Sequence, residues 1–317
     1  PPDLPHPNKC RSVFGFALET TVDLAVDLPE ISGPPDLQLA VRLVGELPEP
    51  DAELVYASEP DKGADAGVTA FRAADEAIVR FRNTDEFRIS DSRIECSLLS
   101  PDYDYLVPIQ FLGIVMALWM ELRGFLVLHA SGVEVDGHGV AFLAAKRGGK
   151  TSLAATMVRN GHRFLSDDLV TLDTTGDTVL IRPAYPQFRM EPDVAGHFID
   201  DWAKLPIVHP DHAKRRVPLS RLGRPMNAPV ALSRIYLPER TDSSSMSIGS
   251  VRGTDAVIEL IRGSFLPEMV AGFGLEASRL AKLARVAAAC PVKRLRYPSG
   301  FDHLQDVVAA VENDLRP

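Results

Sequence analysis

The pattern of hydrophobic and polar residues divides the chain into two parts. Residues 11–105 alternate short apolar runs with turn residues, a spacing that is typical of a β-rich domain. The predicted strands cover residues 12–18, 37–44, 52–56, 77–81, 87–89 and 93–99. Segments 29–35, 47–51 and 58–67 supply Pro, Gly and Asp for the turns between them. No motif for chemistry occurs here, so we expect a scaffold or dimerisation domain, with substrate recognition as the alternative.

The second part contains longer elements. The uncharged run 106–120 predicts a buried helix that ends at Gly124, since a membrane span needs about 20 apolar residues. A strand over 125–135 and a return strand over 139–143 flank the hairpin turn Asp136-Gly137. The pattern then predicts a helix over 151–160, a strand over 163–166, a hairpin of 169–172 with 179–181, a polar loop over 241–250, a helix over 275–289, a strand over 292–297 and a helix over 301–315.

Composition and charge narrow the classes of protein. The chain has 317 residues, of which 45% are hydrophobic and 24% charged, as in globular proteins. Its net charge of −9 argues against a nucleic-acid partner and against binding to anionic lipid. The polar, proline-rich segment 1–10 lacks the pattern of a signal peptide, and three distant cysteines favour a reducing compartment. We therefore expect a cytoplasmic protein without a membrane partner, divided into domains 1–105 and 106–317.

One segment has the composition of a phosphate-binding loop. Gly148-Gly149-Lys150-Thr151 follows an apolar strand and begins a helix, which is the context that such a loop requires. Backbone N–H groups and the helix N-terminus would face phosphate oxygens, Lys150 would reach the β- and γ-phosphates, and the Thr151 hydroxyl would hold Mg²⁺. The alternative is a surface turn with exposed basic residues. The predicted nucleotide-binding residues are Ala145, Lys146, Arg147, Gly148, Gly149, Lys150, Thr151 and Ser152.

An acidic pair, Asp167-Asp168, ends the next predicted strand. In phosphate-loop proteins an acidic residue at the end of a neighbouring strand reaches the metal and the attacking group. Adjacent side chains of an extended segment point to opposite sides, so the two carboxylates should have different tasks. One would face the γ-phosphate and the other a metal or a structural partner. The alternative is a pair of solvated turn residues.

Further polar residues accompany these motifs. His129 lies on the apolar strand before the loop, where a histidine is usually a hydrogen-bonded core residue, but the hairpin brings it near the phosphates or an aspartate. The basic cluster 214–216 is expected to be a solvated face, and steering of an acidic peptide or of phosphates is the alternative. Four charged residues either complete the site or lie on surface loops: Arg182, Arg189, Glu191 and Asp193.

Together these motifs resemble the HPr kinase/phosphorylase family. The resemblance covers about residues 125–173. Within the family, the chain is similar in particular to HPr-kinase-like proteins found beside peptide-modifying genes, including lasso-peptide kinases. It implies an α/β P-loop kinase domain of the HPr kinase/phosphoenolpyruvate carboxykinase type, preceded by a smaller β-rich N-terminal domain. The residues that carry it are His129-Ala130-Ser131-Gly132-Val133, Asp136-Gly137, Gly148-Gly149-Lys150-Thr151 and Gly161-His162-Arg163-Phe164-Leu165-Ser166-Asp167-Asp168.

The resemblance implies a kinase that uses ATP and Mg²⁺ to phosphorylate a serine hydroxyl of a peptide or small protein. It implies that Asp167 is the base toward that hydroxyl and that Asp168 joins Thr151 on the metal side, and the exchanged assignment is the alternative. It also implies that His129 and Lys150 act at the phosphate. Members of the family often form oligomers, so self-association is a further implication.

The chain also departs from the family pattern. The family loop has glycines where this chain has Ala144 and Arg147, and the C-terminal phosphorolysis signature is absent, so the reverse reaction is not expected. Two other hypotheses therefore stand beside the peptide or protein kinase. One is a nucleotide-binding regulatory or assembly protein without kinase activity, which the irregular loop favours. The other is a small-molecule kinase.

Overall fold

The computed structural model describes residues 10–58 and 67–316. The N-terminal strands are β1 (Cys10–Val13), β2 (Phe16–Thr20), β3 (Glu30–Ile31), β4 (Leu37–Leu43), β5 (Glu53–Ala57), β6 (Val68–Arg72), β7 (Ala77–Phe81), β8 (Asp85–Ile89) and β9 (Arg93–Leu98). They form a mixed sheet in the order β3-β1-β2-β4-β9-β8-β7-β6-β5. The β-rich character predicted for this part is therefore confirmed. The segment 1–10 and the turn predicted over 58–67 lie almost entirely outside the described residues.

The strand predicted over residues 12–18 is wrong. Phe14 and Gly15 adopt left-handed φ values of 50° and 73°, so the chain reverses there, and β1 pairs with β2 as a hairpin. Hydrophobic residues continue through this turn because Phe14 is itself buried. An apolar run that includes a buried turn looks like one strand in the sequence.

The helix predicted over 106–124 consists of α1 (Leu106–Gln110) and α2 (Met116–Leu122), joined by a π-helical turn over Phe111–Val115. The backbone of Gly113 is non-helical, with φ −105° and ψ −106°. The buried side chains of this segment share a core with those of the N-terminal sheet. In residues 10–58 and 67–316, no helix is long and apolar enough to cross a membrane.

The remaining elements form a second mixed sheet with helices on both faces and a small antiparallel sheet. They are β10 (Leu126–Leu128), β11 (Ala130–Val135), β12 (His138–Leu143), α3 (Lys150–Arg159), β13 (Arg163–Ser166), β14 (Val170–Asp173), β15 (Leu180–Arg182), β16 (Gln187–Met190), α4 (Pro192–Phe198), β17 (Ile207–His209), β18 (His212–Pro218), β19 (Val230–Thr241), β20 (Ser247–Val251), α5 (Gly253–Arg262), α6 (Pro267–Gly272), α7 (Glu276–Ala289), β21 (Val292–Pro298) and α8 (Leu304–Leu315). The second sheet has the order β10-β14-β15-β19-β12-β11-β13, with β21 beside β19 and β20 beside β21, and the small sheet has the order β16-β18-β17.

Strand β12 shows why this sheet is covered on both faces. Val140 and Phe142 belong to the core that includes buried residues of α3 and α8, whereas Ala141 and Leu143 belong to the core with α5 and α7. Successive side chains of a strand point to opposite faces, so an apolar strand needs a layer on each side. Strands β12, β19 and β21 run parallel to one another, and their carboxyl ends therefore lie at the same edge of the sheet.

Two predictions for this part are wrong. The strand predicted over 125–135 is divided at His129, because β10 pairs with β14 whereas β11 pairs with β12 and β13. The polar loop predicted over 241–250 is shorter, since β19 continues to Thr241 and the polar edge strand β20 begins at Ser247. The mixed α/β class is confirmed, and the domain boundary near residue 105 remains a prediction.

Candidate functional site

The loop between β12 and α3 closes tightly on itself. A Cβ added to Gly148 would lie 2.6 Å from the Cβ of Ala144 and 2.9 Å from the carbonyl oxygen of Ala145, so only glycine fits there. Gly149 precedes α3 with a left-handed φ of 90°. Arg147 also takes a positive φ, of 63°, whereas Ala144 does not. The turn at Ala144 therefore needs no glycine, and the strain of the loop falls on Arg147.

Lys150, the first residue of α3, lies inside this loop. Its side chain is buried, and Nζ donates to the carbonyl oxygens of Ala144 at 2.7 Å and Ala145 at 3.1 Å. Burial lowers the pKa of Lys150, and the nearby carboxylate of Asp168 opposes that shift. The loop therefore holds a cation at its centre, within hydrogen-bond reach of its own backbone.

The carboxylate of Asp167 is buried and accepts three hydrogen bonds. Oδ1 accepts from the hydroxyls of Ser131 at 2.7 Å and Thr151 at 2.9 Å, and Oδ2 accepts from the backbone N–H of Arg189 at 3.0 Å. Burial and the neighbouring Asp168 raise the pKa of Asp167. These contacts fix the carboxylate beside Thr151, in the first turn of α3.

Asp168 has different surroundings. Its backbone is left-handed, with φ 67°, and its Oδ1 lies 3.9 Å from Nζ of Lys214. Burial opposes ionisation, but the cations Lys214 and Arg189 outweigh it and hold the pKa of Asp168 below its usual value. Asp168 is therefore an ionised carboxylate among basic groups. The left-handed backbone of Asp168 separates the two side chains, where the sequence predicted simple alternation along a strand.

His129 lies between β10 and β11 and contacts the same aspartate. Its Nδ1 is 3.1 Å from the backbone carbonyl oxygen of Asp168. A carbonyl oxygen only accepts hydrogen bonds, so Nδ1 carries the proton, and in the neutral ring Nε2 keeps its lone pair. Burial and the charge of Lys150 lower the pKa of His129, which favours that neutral form near pH 7.

These groups surround a cavity of about 580 Å³, in which basic side chains outnumber acidic ones although the whole chain is acidic. A cavity lined by one sign of charge attracts ligands of the other sign. Of the predicted site residues, Ala145 and Asp167 do not line this cavity. Its lining residues are His129, Lys146, Arg147, Gly148, Gly149, Lys150, Thr151, Ser152, Asp168, Arg189, Glu191, Pro192, Asp193, Val194, Ala213, Lys214 and Arg240.

Arg182 lies apart from the cavity and contacts the N-terminal sheet. Its guanidinium donates to the carbonyl oxygens of Phe14 at 2.9 Å and Gly15 at 2.8 Å, and lies 4.0 Å from the centre of the Phe16 ring. Arg182 therefore ties β15 to the hairpin of β1 and β2. The other three charged residues that the sequence offered as candidates, Arg189, Glu191 and Asp193, line the cavity.

Three residues of the site carry weaker signals in the sequence. The solvated-face interpretation is wrong for Lys214, whose strand β18 pairs with β16 and brings it beside Asp168. Arg240 was not predicted. It lies on β19 and donates to the carbonyl oxygen of Arg147. Strand β19 is the parallel neighbour of β12, the strand before the loop, so a prediction of that pairing could have identified Arg240. Ser131 is part of the motif that carries the family resemblance, and in the structure its hydroxyl donates to Asp167.

The oxygens of Thr151 and Asp167 are of the kind that Mg²⁺ binds. They are hard ligands and lie 2.9 Å apart. In the described part of the chain, no group of three or more His, Cys, Asp or Glu side chains could hold a metal ion. Mg²⁺ is usually bound by one or two protein oxygens together with substrate phosphates and water, so this small donor set fits it.

No protein-family model matches the chain. An HPr(Ser) kinase/phosphatase structure from Coxiella burnetii aligns with 59% of this chain and 89% of its own, at 11% identity and a TM-score of 0.32. That score is below the level that indicates a shared fold.

Two curated relatives match a part of the sequence. HPr kinase/phosphorylase of Lachnoclostridium phytofermentans is 31% identical over 87 residues, which are 27% of this chain and 26% of that protein. HPr kinase/phosphorylase of an Exiguobacterium species is 33% identical over 84 residues, 26% of this chain and 27% of that protein. The chain thus spans about a quarter of the length of these relatives. Over that part, the similarity to the HPr kinase/phosphorylase family is confirmed.

Proposed function

We propose that the protein is an ATP-dependent kinase that transfers the γ-phosphoryl group to a serine hydroxyl of a peptide or small protein. The observation that carries this proposal is the separation of the two carboxylates at one phosphate loop. Asp167 is fixed against Thr151, whereas Asp168 faces the cavity with His129 and Lys214. A kinase needs one carboxylate at the metal and another near the acceptor, and a site that only binds nucleotide needs no second one.

The contacts support the reverse of the role assignment that the family resemblance implies. Asp167 does not line the cavity, and its oxygens already accept from Ser131, Thr151 and Arg189, so we assign it to the metal side together with Thr151. Asp168 lines the cavity and is ionised, so we assign it as the base. The resemblance alone gives Asp167 as the base and Asp168 on the metal side.

In the proposed reaction the loop amides and Lys150 bind the β- and γ-phosphates of ATP. Asp168 accepts a hydrogen bond from the serine hydroxyl and takes its proton as the serine oxygen bonds to the γ-phosphorus. The bond from that phosphorus to the bridging oxygen breaks, and ADP leaves. His129 orients Asp168 through its backbone carbonyl, and Lys214 and Arg189 keep Asp168 ionised. Mg²⁺ bound at Thr151 and Asp167 would neutralise charge on the phosphates.

The acceptor is proposed by analogy, since the relatives are named for HPr, a small protein. The test incubates the full chain with ATP, Mg²⁺ and either HPr or a panel of serine-containing peptides. Mass spectrometry then looks for one added phosphate on the acceptor, and an ADP assay follows nucleotide consumption. ATP binding without consumption in the presence of every acceptor would favour the regulatory nucleotide-binding protein. Consumption with small hydroxylated metabolites alone would favour a small-molecule kinase.

A further inference from the structure

A second, smaller cavity adjoins the phosphate site. Its volume is about 110 Å³, and five residues line both cavities: Gly149, Ser152, Asp193, Val194 and Arg240. The two cavities therefore lie next to each other at the start of α3.

The lining of the second cavity combines polar residues with an aromatic and aliphatic group, whereas the first cavity is mainly basic. Tyr297, Phe301 and Leu304 are that group, and together they are called the apolar wall. Tyr297 and Leu304 are buried, and the imidazole of His197 stacks on the Phe301 ring at 4.2 Å with an angle of 9° between the planes. Stacking against His197 holds the Phe301 ring in place, so the wall is ordered before any ligand binds.

The fold explains why this wall stands beside the phosphate loop. Strand β21 runs parallel to β19, and Tyr297 pairs with Arg240 in their register. Both residues lie near the carboxyl ends of their strands, at the edge where the loop begins after β12. The Tyr297 hydroxyl lies so close to the loop that a Cβ on Gly149 would be 2.6 Å from it. The apolar wall therefore starts where the phosphate site ends.

We propose that this second cavity binds the aromatic base of the nucleoside triphosphate, with the base against Phe301 and the triphosphate in the basic cavity. The inference rests on the proposed function, because it needs a triphosphate at Lys150. A flat ring with an apolar face fits the rings of Phe301 and Tyr297 and the side chain of Leu304, whereas a phosphate or a carboxylate finds no partner on Phe301 or Leu304. The carboxylate of Asp193 and the guanidinium of Arg240, which also line the cavity, leave polar groups for the edge of the base.

The test compares ATP with inorganic tripolyphosphate, which carries the charges but no base. Calorimetric titrations with Mg²⁺ are made on the native chain, on Phe301→Ala and on Phe301→Leu, which keeps an apolar side chain without the aromatic face. Tyr105→Ala, at an exposed aromatic residue that lines neither cavity, is the matched control. Base–aromatic stacking is lost in both Phe301 variants, so ATP should bind about 10-fold more weakly, while tripolyphosphate binds as it does to the native chain.

The outcomes separate this inference from the function on which it rests. Equal ATP affinity in the native chain and both Phe301 variants would overturn the base site and leave the phosphate site intact. An equal loss for ATP and tripolyphosphate in Phe301→Leu would also overturn it, because Phe301 would then support the loop and not a base. A native chain that binds neither ligand would overturn the proposed function itself, and the base site with it.

Discussion

Exchanging each aspartate for asparagine tests the division of labour at the site. Asn keeps the size of Asp, and it tolerates a left-handed backbone such as that of Asp168, at φ 67°. Asp168→Asn should therefore keep its backbone and lose only the negative charge and the ability to take a proton. Asp167→Asn should keep the packing around the buried side chain but weaken the oxygen ligand beside Thr151.

The expected magnitudes follow from the contacts. Loss of a general base slows proton transfer by about 10²–10⁴-fold, or ~3–5 kcal/mol of barrier. Asp168 also faces cations, and its Oδ1 lies 3.9 Å from Nζ of Lys214. A charge pair at ~4 Å is worth about 4 kcal/mol at an effective dielectric constant of ~20. Removal of Asp168 leaves those cations free for phosphate, so ATP affinity should stay the same or rise while transfer is lost.

Asp167→Asn should have the opposite profile. Its metal-dependent ATP affinity should fall by at least about 10-fold, because one hard anionic oxygen leaves the pair formed with Thr151. The paired measurement is the ATP dissociation constant at saturating Mg²⁺ and the single-turnover rate of transfer to the acceptor. Swapped phenotypes would refute our assignment and support the one implied by the family resemblance. Native behaviour of both variants would mean that neither carboxylate takes part in ATP binding or in transfer.

Three further predictions concern the loop, the metal and the N-terminal sheet. Lys150→Ala should remove transfer and weaken ATP binding at least about 10-fold, and unchanged calorimetric affinity in the folded variant would contradict a phosphate loop. ATP turnover should stop with chelator and return with Mg²⁺, so full activity in excess chelator would exclude the metal role of Thr151. Burial raises the pKa of Asp85 from 3.8 to about 7, so the folded state holds a proton that the unfolded chain releases. The free energy of unfolding should then fall as pH rises from 4 to 7, by at most about 4 kcal/mol, and Asp85→Asn should reduce that slope in denaturant titrations.

Elements with a regular apolar pattern could be predicted from the sequence. The helix over 275–289, the strand over 292–297 and the helix over 301–315 match α7, β21 and the segment that ends in α8 within a few residues. The strand–loop–helix around Lys150 was also predicted, because glycines, a basic residue and the flanking apolar strand occur in sequence order. A regular apolar pattern locates an element even where its partner is distant, since β21 pairs with β19, which lies far from it in the sequence.

Features that depend on distant pairing could not be predicted. His129 interrupts a continuous apolar run because β10 and β11 pair with different strands, and nothing in the run itself marks that change. Lys214 and Arg240 reach the cavity only through the pairing of β18 with β16 and of β19 with β12. The sequence placed the two aspartates together but could not show which one Thr151 contacts, since that depends on the left-handed backbone at Asp168.

The irregular loop is compatible with phosphate binding for reasons that the sequence could not show. Ala144 takes the place of a family glycine without strain, because its φ is not positive. Arg147 does carry strain, of about 1–2 kcal/mol for a left-handed residue other than glycine. Arg240 donates to the carbonyl oxygen of Arg147, and the guanidinium of Arg147 lies 3.9 Å from the carboxylate of Glu191. Two cavity-lining residues thus contact the strained Arg147, whose side chain adds a cation to the cavity at a position where the family has a neutral glycine.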